Sequence, residues 1–405
     1  MPFRVALSGL NAATSDLNVT ANNIANSNTT GFKSSRAEFA DVFAAGSAGG
    51  GGAAIGNGVR LSNVSQQFTQ GNIEFTDSGL DLAINGQGFF TLRDGSGFVY
   101  TRNGSFSVDR DGYVVNAQNQ RLEVYESLAT GGFNTGSLVD LRLQTSQSMP
   151  SATTFGEVVV NVPASATPPP VATFDPTDPQ SYTNSTSSVV YDSLGNLHQA
   201  TFFFVKTANP NEWSVGLTVD GNQVGGLQTL QFSSAGVQTV PAGGNLAFPA
   251  YDPANGAQPL TMTFDFGQAT QYGGSFAVSA LNQDGFSSGR LTSIDISDTG
   301  VVFARFTNGR ALELGKVALS NFPNAQGLRQ LGETAWGESF ASGGVIQGEA
   351  GSASFGLIQS GALEGSNVDL TKELVQMITS QRAFQANAQM ISTADSITQT
   401  IINIR

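Results

Sequence analysis

Apolar residues recur at every seventh position near both ends of this 405-residue chain, and this spacing constrains the fold more than any other feature. A strict seven-residue apolar repeat buries one narrow stripe of a helix against another helix. We therefore predict a coiled-coil helix at each end, with a polymerisation interface along the apolar stripes. The predicted interface residues are Phe3, Leu10, Leu17 and Ile24 at one end and Leu370, Leu374, Met377, Phe384, Ala388, Ile391 and Ile402 at the other.

The long central part of the chain has the composition of strands and turns. Leu80, Leu82 and Ile84 alternate with other residues in one such run, and this alternation is typical of a β-strand. The segment 109–112, Asp-Arg-Asp-Gly, predicts a hairpin turn between two further runs. The predicted fold class is mainly β with α-helical coiled-coil termini. It is multidomain, because a body inserted between two helical ends needs inner domains built from both N-terminal and C-terminal segments.

Changes of composition along the chain set the predicted domain limits. A Gly-rich loop at 46–58 indicates a flexible segment after the first helix. A proline-rich stretch at 163–181 indicates a central insert. The predicted domains are 1–30 plus 363–405 for the terminal helical coiled coil, 31–70 for a linking arm that is irregular over 32–45 and the Gly-rich loop, 71–145 plus 286–362 for an inner β domain, and 146–285 for an outer β domain.

Composition argues against several classes of function. The net charge of −13, without a visible basic patch, argues against a nucleic-acid partner. The chain has no cysteine, which excludes disulfides, thiolate metal sites and cysteine nucleophiles. No run of about 18 apolar residues occurs, and the N-terminus does not resemble a secretory signal. We therefore expect no membrane partner, and if the chain is exported, a route other than general secretion.

No group of residues in the sequence predicts an enzyme. The single histidine, His198, is expected on the polar face of a strand, with no second histidine to complete a metal site. The segment 109–112 imitates the start of a calcium loop, but Tyr113 and Gln120 stand where a third oxygen ligand and a glutamate are required. We expect a plain turn there, and we expect no catalytic residue, no metal and no cofactor.

The terminal helices have a second interpretation, in which they pair only with each other inside one molecule. A helix over 368–404 would be about 55 Å long at a rise of about 1.5 Å per residue. The shorter pattern at 3–27 cannot cover all of it, and uncovered apolar surface requires other subunits. We therefore favour self-assembly, with ends that are disordered in a single copy until neighbouring copies cover them.

Three motifs resemble those of bacterial flagellar rod and hook proteins. The N-terminal motif includes Asn22, Asn23, Asn26, Gly31 and Phe32. The motif of the β body includes Asn85, Gly86, Gly88 and Phe89. The C-terminal motif begins at Gly361 and runs into the second helical pattern at Leu370. The motifs stand in the order of the family and cover both ends and the inner β body.

The resemblance implies a structural function in the bacterial flagellum. The insert at 146–285 resembles the outer domain of the hook members of the family, whereas the rod members lack such an insert. A hook subunit would polymerise with itself into a flexible helical tube that transmits torque from the rod to the filament. The implied partners are the rod, the hook cap, the hook–filament junction proteins and the type III export apparatus. The implied location is extracellular, reached without a cleaved signal peptide.

Two alternatives stay open at this point. A distal rod protein or another axial flagellar protein would share the end helices and part of the β body. A secreted β-rich adhesive protein with helical oligomerisation ends would instead form discrete trimers. Electron microscopy of concentrated protein would distinguish tubes from trimers and monomers.

Overall fold

The structure is a computed structural model of the chain, and it falls into two compact units. It describes residues 2–42, 56–95, 97–128, 131–143, 147–352 and 354–403. Unit 1 comprises Met1–Gln144, Ser293–Arg305 and Ala311–Arg405, and unit 2 comprises Thr145–Thr292 and Phe306–Arg310. Most of the predicted Gly-rich loop at 46–58 lies outside the described residues. The predicted domain limits stay predictions.

Unit 1 begins with a helix, which is followed by short strands. The helix is α1, Pro2–Ala25. The strands are β1 (Ser35–Asp41), β2 (Val59–Gln66), β3 (Ile73–Phe75), β4 (Leu82–Asn85), β5 (Phe89–Asp94), β6 (Gly97–Thr101), β7 (Ser107–Val108), β8 (Val114–Val115), β9 (Arg121–Ser127) and β10 (Phe133–Asp140). The pair β7 and β8 flanks the predicted turn at 109–112, in which Asp109 Oδ1 accepts the N–H groups of Asp111 and Tyr113 at 2.9 and 2.7 Å.

The described part of unit 2 consists of strands and loops. Its strands are β11 (Phe155–Pro163), β12 (Asn184–Tyr191), β13 (Leu197–Lys206), β14 (Glu212–Val219), β15 (Asn222–Gln223), β16 (Gln228–Phe232), β17 (Gln238–Val240), β18 (Asn245–Ala247), β19 (Thr263–Asp265), β20 (Thr270–Tyr272) and β21 (Ala277–Gln283).

The chain then returns to unit 1 and ends in a second helix. The remaining strands are β22 (Leu291–Ile296), β23 (Val301–Phe306), β24 (Ala311–Asn321), β25 (Arg329–Gly332), β26 (Ala335–Gly337), β27 (Ile346–Glu349), β28 (Leu357–Ser360) and β29 (Ala362–Glu364). A short 3-10 turn spans Ala325–Gly327, and the C-terminal helix is α2, Leu370–Asn403.

The main sheet of unit 1 combines strands from both parts of the sequence. Its path includes the order β23-β24-β9-β5-β6-β26-β25. In this sheet Val317 of β24 lies opposite Val124 of β9, and Trp336 of β26 lies opposite Tyr100 of β6. The chain is therefore mainly β with helical termini, and its inner β body is built from N-terminal and C-terminal segments.

Unit 2 is built from two sheets that share one apolar core. One sheet has the order β18-β19-β11-β20, with β21 also paired to β11, and the other has the order β12-β13-β14-β16-β17. Val158 of β11 and Phe202 of β13 belong to the same buried cluster. The rings of Phe202 and Phe264 pack edge to face with their centroids 4.7 Å apart. Large side chains from both sheets thus fill the interior of this unit.

The start of α2 has the expected capping chemistry, and a glycine with positive φ follows the end of α1. Asp369 Oδ1 accepts hydrogen bonds from the N–H groups of Thr371 and Lys372 at 2.9 and 3.2 Å, which is the geometry of an N-cap. Gly31, beyond the end of α1, has φ +70°, a conformation that favours glycine. Neither described helix combines the length and the apolar character that a membrane span requires.

The structure corrects the prediction of an irregular segment at 32–45. Within that segment β1 pairs antiparallel with β2, from Ser35 opposite Gln66 to Asp41 opposite Val59. Polar and apolar residues do not alternate regularly in β1, which contains Phe39 as its single large apolar residue, so the apolar signal was too weak to predict a strand.

The structure also corrects the position of His198, which does not lie on the polar face of its strand. Its side chain is on the inward face of β13, beside Ala200, and the residue is 7% exposed. Its Nδ1 lies 2.6 Å from Asp220 Oδ2 and its Nε2 lies 3.3 Å from Asp192 Oδ2. The two carboxylates supply the hydrogen bonds without which a buried imidazole would be costly.

Candidate assembly interface

The two terminal helices pack antiparallel through a seam of small residues. Asp16 of α1 accepts a hydrogen bond from Gln376 Nε2 at 2.7 Å and another from Ser380 Oγ. Nearer the start of α1, a Cβ placed on Gly9 would lie 2.5 Å from Asn387 Oδ1. The helices therefore approach closely, and this approach leaves room for small side chains only.

The fully buried positions of the helix pair differ from the predicted stripe. The buried residues among the described helix positions are Ala6, Ala13, Thr20 and Asn23 in α1 and Ser380 in α2. Ala6, Ala13 and Thr20 share the seven-residue spacing but stand three residues after the predicted series, whereas the side chain of Asn23 is bound to the backbone of Ser35. We missed them because the prediction used large apolar side chains, whereas the close approach selects small ones. A search for small residues at the same spacing would have found them.

The predicted interface residues lie beside this seam or away from it. Partly covered are Leu10, Leu17, Ile24, Met377, Phe384, Ala388 and Ile391. Exposed are Phe3, Leu370, Leu374 and Ile402. Further apolar residues of the helices that are exposed are Val5, Leu7, Val375, Ile378, Met390 and Ile397. The helix pair thus carries large apolar side chains that the described residues leave about half exposed or more.

The helices also differ in length. Helix α2 has 34 residues and α1 has 24, so ten residues, about 15 Å of helix, have no counterpart in α1. Because the pairing is antiparallel, this excess lies at the end of α2, where Ile397 and Ile402 are exposed. Pairing within one molecule therefore occurs, and it leaves much of the apolar surface of α2 uncovered.

A buried ionic cluster connects the helical ends to the β body. Glu364 of β29 is fully buried, and its Oε1 lies 2.6 Å from Lys33 Nζ and 2.9 Å from the N of Gly71. Its Oε2 accepts a hydrogen bond from Arg102 Nη1 at 3.0 Å. Lys33 Nζ also donates to the carbonyl of Thr69 at 2.8 Å. Burial lowers the pKa of the Lys33 ammonium, and the Glu364 carboxylate opposes this shift.

The N-terminal motif residues surround this cluster or brace the end of α1. The side chain of Asn23 bonds both the N–H and the carbonyl of Ser35, at 2.9 and 2.8 Å. Gly31 donates its N–H to the carbonyl of Glu364 at 2.7 Å. A Cβ on Gly31 would lie 2.6 Å from the N of Asn103, so only glycine fits. Asn26 Nδ2 donates to Asn22 Oδ1 at 2.7 Å, and Phe32 is partly buried.

The motif of the β body lies on the other side of the same cluster. The carbonyl of Gly86 accepts a hydrogen bond from Arg102 Nη2 at 2.8 Å. Asn85 pairs with Leu357 of β28, and Gly88 has φ +123°. Phe89 is buried in a separate, aromatic cluster of unit 1 with Tyr100, Phe322 and Trp336. The motif residues therefore serve to join segments that are far apart in the sequence.

Models of four flagellar protein domains match successive parts of the chain. They are the flagella basal body rod protein at residues 3–33, the flagellar hook protein FlgE/F/G D1 domain at 83–167, the flagellar basal body protein FlaE D2 domain at 161–286 and the flagellar basal body rod FlgEFG protein C-terminal region at 359–404.

Whole-length relatives show the same likeness. The chain is 38% identical to the flagellar hook protein FlgE of Escherichia coli strain K12, covering all of both chains. It is 34% identical to the FlgE of Rhizobium meliloti, covering 100% of this chain and 98% of the relative. It is 32% identical to the FlgE of Borreliella burgdorferi, covering 98% of each.

A solved structure has a similar fold. The crystal structure of Helicobacter pylori flagellar hook protein FlgE2 matches with a TM-score of 0.55, covering 72% of this chain and 100% of that chain. The sequence identity is 15%, so this match concerns the fold alone.

Proposed function

Because this chain belongs to the flagellar hook protein family and is a structural subunit of the hook, we propose that its copies polymerise into a flexible helical tube. The tube acts as a universal joint that transmits torque from the rod to the filament. The helices line its inner wall, and unit 2 belongs to its outer part. Contacts between unlike surfaces of successive copies extend such a polymer without closing it.

The observation that carries this proposal is the uncovered apolar surface of the helix pair. Leu374 is 45% exposed and Ile402 is 67% exposed, although both belong to a seven-residue repeat. A helix pair of one molecule does not bury these side chains, whereas neighbouring helix pairs around a tube can. The predicted interface residues are therefore proposed to contact neighbouring copies.

A charge placed on this surface tests the proposal. Leu374→Glu puts a carboxylate where a neighbouring copy must pack, so we expect the variant to form no tubes at concentrations at which the wild type does. Gln385→Glu is the matched control, because it adds the same charge at another exposed position of α2. The measurement is negative-stain electron microscopy, with thermal unfolding of the dilute chain to verify folding. Tubes formed equally by Leu374→Glu would refute the proposed interface, and discrete trimers of the wild type would favour the adhesive alternative.

A deletion tests whether the helices form the tube and the segment 146–285 affects only its shape or stiffness. We propose that removing 146–285 leaves tube formation intact and changes the shape or stiffness of the tube. Loss of all polymerisation on this deletion would contradict the proposal.

The proposed partners follow from the same family membership. They are the rod, the hook cap, the hook–filament junction proteins and the type III export apparatus, with an extracellular final location and no cleaved signal peptide. Export is tested by deleting the type III apparatus in cells that make the chain, which should leave it inside the cell. N-terminal sequencing of the exported chain should begin at or next to Met1. A shortened N-terminus would indicate a cleaved signal.

A further inference from the structure

The chain contains five Asn-Gly pairs, the sequence in which an asparagine most readily loses its side-chain amide. In this reaction the backbone nitrogen of the second residue attacks the amide carbon of the first. Glycine hinders the attack least, because it has no Cβ and a freely adjustable backbone. The asparagines of the five pairs are Asn57, Asn85, Asn103, Asn255 and Asn308. The surroundings of each glycine therefore decide which of these pairs can react.

Four of the pairs hold their glycine in place. The N–H of Gly86 donates to a side-chain oxygen at 3.1 Å, and the N–H of Gly309 donates to a backbone carbonyl at 3.0 Å. Gly58 and Gly104 pack so closely against other segments that a Cβ on either would collide with a neighbouring oxygen. In these four pairs the glycine nitrogen is either bonded or unable to move, so its attack on the asparagine is hindered.

The fifth pair, Asn255-Gly256 of unit 2, lies in an exposed loop and has neither restraint. Nothing lies within 4 Å of a Cβ placed on Gly256, and its N–H donates to no acceptor among the described residues. The side-chain Oδ1 of Asn255 accepts the N–H of Ala257 at 2.9 Å. When the nitrogen attacks, negative charge develops on this oxygen, and the N–H that already points at it stabilises that charge. A free nitrogen thus stands next to a polarised amide.

The amide of Asn255 also ties its loop to a buried carboxylate. Its Nδ2 donates to Asp192 Oδ2 at 2.7 Å, and Asp192 is fully buried. The same carboxylate oxygen accepts Asn196 Nδ2 at 2.9 Å and lies 3.3 Å from His198 Nε2. Loss of the amide would replace a donor to Asp192 by a second carboxylate. Two carboxylates at hydrogen-bond distance do not both stay ionised in contact, so the loop and Asp192 would separate.

We propose that Asn255-Gly256 is a site of spontaneous deamidation, and that its product releases the loop 251–257 from Asp192. The nitrogen of Gly256 forms a bond to the side-chain carbon of Asn255, and the bond from that carbon to Nδ2 breaks. Ammonia leaves and carries away the proton of the Gly256 N–H. Water then opens the cyclic imide at one of its two carbonyls, which gives aspartate or isoaspartate at position 255. No oxidant or reductant takes part.

The other pairs of the same chain serve as internal controls for the site. The purified full chain is kept in mildly alkaline buffer, and peptide mapping by mass spectrometry follows the acidic products at each asparagine. We expect conversion at Asn255 to be about tenfold faster than at Asn85 or Asn308, because only there is the glycine nitrogen unbonded and uncrowded. In Gly256→Ala the conversion should slow about tenfold, because the added Cβ hinders the attack. Conversion at Asn255 no faster than at Asn308 would overturn the proposal.

A second measurement tests the consequence for the loop. Asn255→Asp makes one of the two products directly and should lower the denaturant midpoint of unit 2. Asn255→Ala removes the donor without adding a charge, so its loss should be smaller. Gln268→Glu is the control, because it adds the same charge at another exposed position of unit 2, and it should leave the midpoint unchanged. A midpoint for Asn255→Asp no lower than that for Asn255→Ala would refute the proposed repulsion from Asp192. Neither measurement depends on tube formation, so failure of this inference leaves the proposed function untouched.

Discussion

The helix pair and unit 2 place their large side chains in opposite ways. In unit 2 the rings of Phe202, Phe204 and Trp213 are fully buried in one cluster. In the helix pair the buried positions include Ala6 and Ala13, and residues such as Phe3 are exposed. Unit 2 therefore completes its apolar core within one chain, whereas the larger apolar groups of the helix pair stay exposed and can be buried by other chains.

This difference predicts where the stability of a single copy resides. Burying a side chain such as Phe stabilises a fold by about 1.5–3 kcal/mol relative to leaving it exposed. Unit 2 therefore receives this stabilisation before assembly, and the helix pair receives it only when neighbouring copies bind. Binding of further copies then stabilises the ordered helices by mass action.

The largest effect is expected for a cavity in unit 2. Phe202→Ala removes a ring that packs against Phe264, and should lower the free energy of unfolding of unit 2 by about 3–5 kcal/mol. The measurement is denaturant unfolding in a Trp336→Phe background, so that the fluorescence comes from Trp213, which is buried in the same cluster. The control is Phe155→Ala, whose ring is exposed on β11. Equal losses for the two variants would contradict a self-sufficient core.

A smaller loss is expected when the ionic cluster of unit 1 is neutralised. Glu364→Gln leaves the cations of Lys33 and Arg102 without their carboxylate, and should lower the free energy of unfolding of unit 1 by about 3 kcal/mol. The matched control is Glu38→Gln, because Glu38 pairs with Arg36 at 3.1 Å on the surface, and this variant should lose much less stability than Glu364→Gln. Denaturant unfolding followed by circular dichroism measures both. A stable Glu364→Gln variant would show that the cluster does not hold the helical ends to the β body.

The sequence predicted well the helices and turns whose conformation depends on residues close together along the chain. The seven-residue spacing predicted α1 and α2, and the helix α2 begins after its Asp369 cap. The turn at 109–112 lies between two paired strands as expected. In each case the signal and the structure occupy the same short segment, so local propensity and spacing decide the outcome.

The features that sequence did not predict depend on residues that are distant along the chain. Lys33 and Glu364 are 331 positions apart, and nothing in either segment specifies the other as its partner. His198 meets Asp220, 22 residues away, because β13 and β14 pair in a particular register. The small seam of α1 depends on how closely α2 approaches, which a repeat of apolar residues does not reveal. Tertiary packing determined these outcomes.

A weaker and pH-dependent effect is expected in unit 2. Burial alone would lower the pKa of His198, but the hydrogen bonds to Asp220 and Asp192 outweigh it and raise this pKa above its usual value. Asn255 Nδ2 also donates to Asp192 Oδ2 at 2.7 Å, and the ring of Tyr251 lies 6.4 Å from the imidazole. Because the folded pKa is raised, the stabilisation is complete below about pH 6.5, the unfolded value, and is lost as the pH rises through the folded value.

The loss of stability with rising pH is measured by unfolding unit 2 between about pH 6 and pH 9, with Trp213 fluorescence in a Trp336→Phe background as the signal. The variant His198→Gln should remove the decline in stability over that window, because glutamine does not titrate there. An NMR titration of the single imidazole gives the folded pKa directly. A folded pKa at or below about 6.5 would contradict the assigned sign.

The smallest effect is expected where the same substitution is made in the helix pair. Phe3→Ala removes a ring that is exposed in α1, so the free energy of unfolding of a dilute single copy should change by less than about 0.5 kcal/mol. Phe3→Ala and Phe202→Ala are the same chemical change, so a difference between their unfolding free energies reports only where the ring lies. The concentration needed for tube formation should nevertheless rise, since the ring is available only to neighbouring copies. If Phe3→Ala lowered the free energy of unfolding of a single copy as much as Phe202→Ala does, the helix pair would have a complete apolar core within one chain. The contrast between the two regions would then be wrong.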